Sequence, residues 1–168
     1  MLHTIAAFDR IGEENAFAVL ARATALAAQG RDIVNLGIGQ PDFQTPPHIV
    51  EAAVKALCDG HHGYTPATGI LALREAVARR TLATTGVEVS PDSVVIVPGG
   101  MVTMFAAILM FGEPGAEILY PDPGFPIYRS MIEFTGATPV PVPIREENGF
   151  AFSAEETLAL VTGRTRLL

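Results

Sequence analysis

Val94-Val95-Ile96-Val97-Pro98-Gly99-Gly100-Met101 reads as a strand that breaks and reopens as a helix. Four consecutive β-branched residues, apolar on both faces, predict a strand covered by helices, as in a parallel sheet. Pro98 and the glycine pair end it, and the apolar run from Met101 to Phe111 predicts a helix that starts at once. Such a junction gathers backbone N–H groups and the positive end of the helix dipole at one point, which suits an anion. The alternative is a tight turn that binds nothing, because neither a full dinucleotide fingerprint nor a P-loop lysine accompanies the glycines.

The same alternation continues toward the C-terminus. Glu117–Tyr120, Thr138–Val142 and Thr165–Leu168 read as strands; Pro126–Phe134 and Ser153–Val161 read as helices, the second opened by a Ser153/Glu156 capping box. The expectation is an α/β fold, a mostly parallel sheet with flanking helices. Toward the N-terminus, Glu13–Gln29 predicts a helix with Phe17, Leu20, Thr24 and Ala27 at helical spacing and Gly30 as its stop. Ile33–Leu36 reads as extended, and Gly37-Ile38-Gly39-Gln40-Pro41-Asp42 as a loop that exposes its backbone. Thr45 as N-cap and Pro46 at the first position predict a second helix, with Ile49, Ala53, Ala56 and Leu57 on one face and Gly60 at its end. A third runs from Ile70 to about Thr81, capped by Thr68 or Gly69, with Leu73, Ala76 and Val77 facing inward.

With 168 residues, 49% hydrophobic and 17% charged, the chain can bury one sizeable core, or one domain and part of another. A net charge of −7 provides no basic field for nucleic acid or an anionic membrane surface, so neither is an expected partner. The single cysteine, Cys58, excludes an internal disulfide framework, and no charged-then-apolar leader follows Met1, so the cytoplasm is the expected compartment. The longest apolar stretch, Met101 to Phe111, is too short to span a bilayer.

Pro121-Asp122-Pro123-Gly124-Phe125-Pro126-Ile127-Tyr128 leaves the end of a predicted strand, where ligands of open α/β sheets gather. Its three prolines stiffen it enough to hold Phe125 flat over a planar heteroaromatic ring, although a phenylalanine there can equally cap the core. Tyr64, in Gly63-Tyr64-Thr65-Pro66-Ala67-Thr68-Gly69, can donate its hydroxyl to a phosphate or simply face solvent. His61 and His62 are adjacent and lack the partners of a metal motif, so no metal is expected. His48 with Glu51 reads as a solvated helix face, and no G-x-S-x-G elbow supports serine hydrolysis.

In order along the chain, Asn35-Leu36-Gly37-Ile38-Gly39-Gln40-Pro41-Asp42-Phe43, Tyr64 with Gly69 and Leu73-Arg74, Pro98-Gly99-Gly100, and the Pro121–Tyr128 loop resemble the N-terminal landmarks of class I aminotransferases. The resemblance spans Ile11 to Leu168. It implies a fold-type I enzyme dependent on pyridoxal 5'-phosphate, a homodimer, which moves an amino group between an amino acid and a 2-oxo acid. It further implies that residues 1–45 form an N-terminal arm and small-domain segment and that 46–168 form an incomplete large domain. On the matching positions, the Gly99 turn with the amides of Gly100 and Met101 holds the cofactor phosphate, and Phe125 stacks on the ring. Tyr64 resembles the tyrosine that reaches the phosphate in the neighbouring subunit, and Gly39 the glycine beside the substrate carboxylate. The family's Schiff-base lysine has no counterpart: the one lysine, Lys55, lies on the predicted second helix. The expectation is therefore an N-terminal part that is inactive alone, with its catalytic residues outside these 168. The rival is a truncated domain that at most binds a phosphate ligand. A Rossmann-like nucleotide domain is disfavoured, because no acidic residue ends the second strand where a ribose would need it. Two departures from the family are Gly115-Ala116, where Gly-Asp is usual, and Met101, where serine, threonine or alanine is common.

Overall fold

The structure, a computed structural model, describes residues 3–12, 15–37 and 39–168. In chain order its elements are α1 (Asn15–Ala28), α2 (Pro47–Cys58), α3 (Leu71–Thr85), α4 (Gly100–Phe111), β1 (Glu117–Asp122), α5 (Ile127–Thr135), β2 (Thr138–Pro143), α6 (Ala154–Ala159) and β3 (Thr165–Leu167), with short 3-10 turns between some of them. They fall into two compact units, one of residues 1–38 with 100–168 and one of 39–99. No helix among the described residues is long and apolar enough to cross a membrane.

The first unit is the α/β layer. Its sheet has the order β2-β1-β3, and both pairs are parallel. Parallel neighbours need a crossover, and α5 makes it between β1 and β2, closing on Gly136 in the left-handed region (φ 88°). The central strand reads as its position requires, with Ile118 and Leu119 both buried although they point to opposite faces. On one face Ile118 joins Ile108 of α4 and Met131 and Ile132 of α5, and Ile132 is wholly inaccessible (0%). The first residue of β1, Glu117, is buried but satisfied. It accepts from the Thr162 hydroxyl and the Arg164 guanidinium, and its own amide donates to the Arg164 carbonyl at 3.0 Å. This latch seats β3, whose register slips by one residue between Glu117 and Ile118. In the same unit, Arg10 donates to the carbonyls of Glu133 (2.7 Å) and Phe134 (2.8 Å), a cation placed on the negative end of α5.

The second unit carries α2 and α3. Its α2 starts at Pro47 rather than Pro46, and Thr45 does not cap it. The cause is local: a residue before proline is kept out of the helical region, so Pro46 stays extended (ψ 137°) ahead of Pro47. The third helix runs four residues past Thr81. Thr81, Thr84 and Thr85 each return a hydroxyl bond to a carbonyl of the preceding turn, and Gly86 (φ 74°) then ends it. Its inward face also differs from expectation: Leu73, Ala76 and Val77 are exposed, and Ala78 is the buried residue.

Two predicted strands are absent as strands. Val94–Val97 is extended but joins no ladder, and the sheet contains only β1, β2 and β3 among the described residues. The Ile96 amide donates instead to the Thr68 carbonyl at 3.0 Å. Ile33–Leu36 is likewise unpaired, with Val34 and Leu36 exposed. Composition can favour an extended backbone, but a strand exists only where a neighbour supplies the other half of its hydrogen bonds. The predicted start of α1 at Glu13, the Phe17 side chain and Ile38 lie outside the described residues.

Candidate functional site

Gly99 takes φ 95°, a conformation open to glycine and strained for other residues, and its amide closes a tight turn onto the Val97 carbonyl at 2.9 Å. That turn allows α4 to begin at the next residue. The amides of Gly100 and Met101 then lie in the first helical turn, where geometry leaves N–H groups without an intrahelical acceptor. No acidic side chain occupies this turn, and a Cβ added at Gly100 would meet nothing within 4 Å. Gly100 lines a cavity of about 350 Å³ with Thr103, Tyr120, Pro121 and Tyr128. The Met101 side chain does not enter that cavity. It lines another, of about 420 Å³, with Phe105 and Met131.

Phe125 lies on the loop that leaves the carboxyl end of β1. Its carbonyl accepts from the Tyr128 amide at 3.1 Å, and its ring meets that of Tyr128 edge-on, centroids 6.0 Å apart at 82°. Phe125 is 42% exposed and lines a cavity of about 180 Å³ with Tyr120, Asp122 and Arg129, so it does not cap the core. Tyr120 and Pro121 line both this cavity and the one at Gly100, so the two adjoin. The Tyr120 hydroxyl is pushed above its ordinary pKa, first by burial and then by the negative charge of Asp122. It therefore stays protonated and able to donate. Sequence reasoning missed Tyr120, Asp122 and Arg129 as lining residues; the available signal was the position of Tyr120 and Asp122 at the end of a strand that points into a stiff loop.

In the second unit Tyr64 is exposed, on a loop that Gly69 closes with φ 92° and a hydrogen bond of 2.8 Å from its amide to the Pro66 carbonyl. Gly39 is exposed, and a Cβ there would meet nothing within 4 Å. Lys55 is on α2, paired with Asp59 one turn on, its side chain 74% exposed. Among the described residues no three metal-ligating groups converge, His61 and His62 included.

The sequence model of the aminotransferase class I and II family matches residues 31–168. A probable aspartate/prephenate aminotransferase of Aquifex aeolicus is 38% identical over 150 residues, which is 89% of this chain and 38% of that protein. An arginine–pyruvate transaminase of Pseudomonas aeruginosa is 39% identical over 147 residues, 88% of this chain and 37% of that protein. Among solved structures, the aspartate aminotransferase of Thermus thermophilus with maleate superposes with a TM-score of 0.89 at 34% identity, covering 98% of this chain and 43% of that one. The chain thus spans about two fifths of the length of the relatives it matches.

Proposed function

The chain belongs to the class I and II aminotransferases, and from that premise we propose that the full-length protein transfers an amino group between a 2-amino acid and a 2-oxo acid, using pyridoxal 5'-phosphate. The relatives named for aspartate, prephenate, arginine and pyruvate share a carboxylate beside an amino- or oxo-bearing carbon, and the proposal is set at that shared chemistry. We assign residues 1–45 to the arm and small-domain segment and 46–168 to part of the large domain. Homodimeric assembly and a cytoplasmic location belong to the same reading, through the resemblance, the acidic charge and the single cysteine.

The observation that carries the proposal is the open first turn of α4 beside the Phe125 cavity. A phosphate dianion placed before Gly99 accepts from the Gly100 and Met101 amides and gains from the helix dipole. Hydrogen bonds to a charged group are worth about 1.5–3 kcal/mol each, so the two amides contribute about 3–6 kcal/mol toward holding the phosphate. Phe125 covers the ring from one face, and the Tyr120 hydroxyl and Asp122 carboxylate give that cavity a polar wall. Tyr64 donates its hydroxyl to the phosphate in the neighbouring subunit, and Gly39, lacking a side chain, lets backbone approach the substrate carboxylate. When bound, pyridoxal 5'-phosphate supplies an electron sink for the bonds at the substrate Cα. The lysine that moves the proton there is assigned outside residues 1–168, since Lys55 is held by Asp59 on an exposed helix face.

Incubating the purified full-length protein and cofactor with a panel of amino acids and 2-oxoglutarate or pyruvate tests this. Appearance of the acceptor's amino acid is expected; no transfer from any common amino acid overturns it. The position of Lys55 favours a second reading for the 168 residues alone, a domain that holds the phosphate without transferring an amino group. Saturable cofactor fluorescence with no turnover supports that reading, and turnover by the isolated chain refutes it.

A further inference from the structure

Resting on the assignment of Tyr64 to a cofactor phosphate, we propose that Arg74 is a positioning residue for that phosphate, fixing the Gly63–Gly69 loop against the segment that ends at Gly99. Arg74 stands in the first turn of α3, with its side chain only 14% exposed. Its guanidinium reaches two separate stretches of backbone. Nε donates to the Gly69 carbonyl at 3.2 Å, and Nη1 donates to the Pro91 carbonyl at 2.9 Å and to Asp92 at 3.2 Å. The first carbonyl closes the loop that carries Tyr64; the second opens the turn that leads into Val94–Gly99. A second tie runs in parallel, from the Ile96 amide to the Thr68 carbonyl. A third is steric: a Cβ on Gly69 would lie 2.5 Å from Cγ1 of Ile96, so the two backbones meet at a distance that only glycine allows.

The chemistry explains why arginine is needed. A guanidinium presents several donors in a rigid planar fork and bridges two carbonyls at a set separation, whereas an ammonium on a flexible stem does not. The ion pair to Asp92 is a minor part, because that carboxylate is 90% exposed and water screens it. Arg74 thus holds together the two pieces of this unit assigned to phosphate binding, and it touches neither phosphate nor ring. Its loss removes one of the three ties on that loop, which loosens the Tyr64 donor and leaves ring recognition intact.

The test uses the full-length protein and two probes, pyridoxal 5'-phosphate and pyridoxal, which has no phosphate. Arg74→Ala is expected to weaken binding of the phosphorylated probe by about tenfold and that of pyridoxal by less than about twofold, as displacement of a positioned group implies. The phosphorus NMR signal of the bound cofactor should shift or broaden in the same variant, and Arg74→Lys should fall between the two proteins. Tyr64→Phe should produce a similar selective loss, and the double variant little more than either alone. Equal weakening of both probes, unchanged affinity for both, or full additivity in the double variant overturns the role of Arg74. If Tyr64→Phe leaves both affinities unchanged, the Tyr64 assignment falls and the proposal with it. Thermal unfolding checks each variant, and should Arg74→Ala not fold, Arg74→Lys with the same two probes decides.

Discussion

Replacing Gly69 by alanine should disrupt the join between the Tyr64 loop and the Val94–Gly99 segment, at a cost that can be divided between two causes. The first is backbone strain: Gly69 has φ 92°, and a left-handed conformation costs an L-residue about 1–2 kcal/mol. The second is collision. The new methyl would lie 2.5 Å from Cγ1 and 2.7 Å from Cβ of Ile96, and forcing carbon into an occupied site costs about 1–3 kcal/mol. Together they predict a loss of about 2–5 kcal/mol. Urea unfolding of the full-length protein measures it, and hydrogen exchange at the Ile96 amide, bonded to the Thr68 carbonyl, reports the same opening locally. Compensating changes at Ile96 separate the causes. Ile96→Ala removes the nearer contact and leaves the one at Cβ; Ile96→Gly removes both. The coupling in a double-mutant cycle should therefore be partial with alanine and reach the steric share with glycine, while the strain remains in both. A loss below about 1 kcal/mol for Gly69→Ala, or equal and negligible coupling with the two Ile96 variants, would refute the reasoning.

The remaining predictions concern the site and the sheet. Gly100→Pro removes an amide donor and should weaken cofactor retention by about 1–3 kcal/mol, read as a faster cofactor off-rate. Phe125→Ala should lower cofactor affinity by about 0.5–1.5 kcal/mol and leave affinity for inorganic phosphate unchanged; an equal loss for phosphate would contradict its place at the ring. Glu117 is held below the usual carboxylate range by the Thr162 hydroxyl first and the Arg164 guanidinium second. Its contribution to stability is thus complete above the ordinary glutamate pKa, about 4.3, and is lost as pH falls through its lower folded value. The melting-temperature gap between wild type and Glu117→Gln should accordingly shrink on acidification, and a gap that is constant or widens with acid would be inconsistent with the latch. Lys55→Arg should leave borohydride-fixed labelling by cofactor in the full-length protein unaltered, whereas loss of the label would place Lys55 at the ring.

Local sequence determined much of this molecule. Glycines 30, 60, 86 and 136 end helices where their lack of a Cβ permits a left-handed residue; Gly30 and Gly60 read as stops from sequence, whereas the third helix reads as ending at about Thr81 and reaches Gly86 only in the fold. Ser153 caps α6 by accepting from the Glu156 amide at 3.3 Å, although the Glu156 carboxylate turns away to Arg145 at 2.8 Å and leaves the capping box half made. The Gly99–Gly100 junction, the stiff loop of Phe125 and the β1–α5–β2 alternation depend on neighbours in the chain and were legible for that reason. Tertiary structure decided whatever needed a distant partner. Val94–Val97 has the composition of a strand and no ladder among the described residues, and Leu73 and Val77 have helical spacing but no cover. Glu117 reads in sequence only as the first residue of a strand, and in the fold it is buried against Thr162 and Arg164, 45 and 47 residues away. Arg74 stands in sequence only as part of a family landmark on the third helix, and it acquires its two backbone carbonyls when the chain brings Gly69 and Pro91 to the same fork. Turns and caps are short-range balances of sterics and hydrogen bonds, so a few residues suffice to settle them, whereas burial and pairing depend on surfaces that come together only on folding.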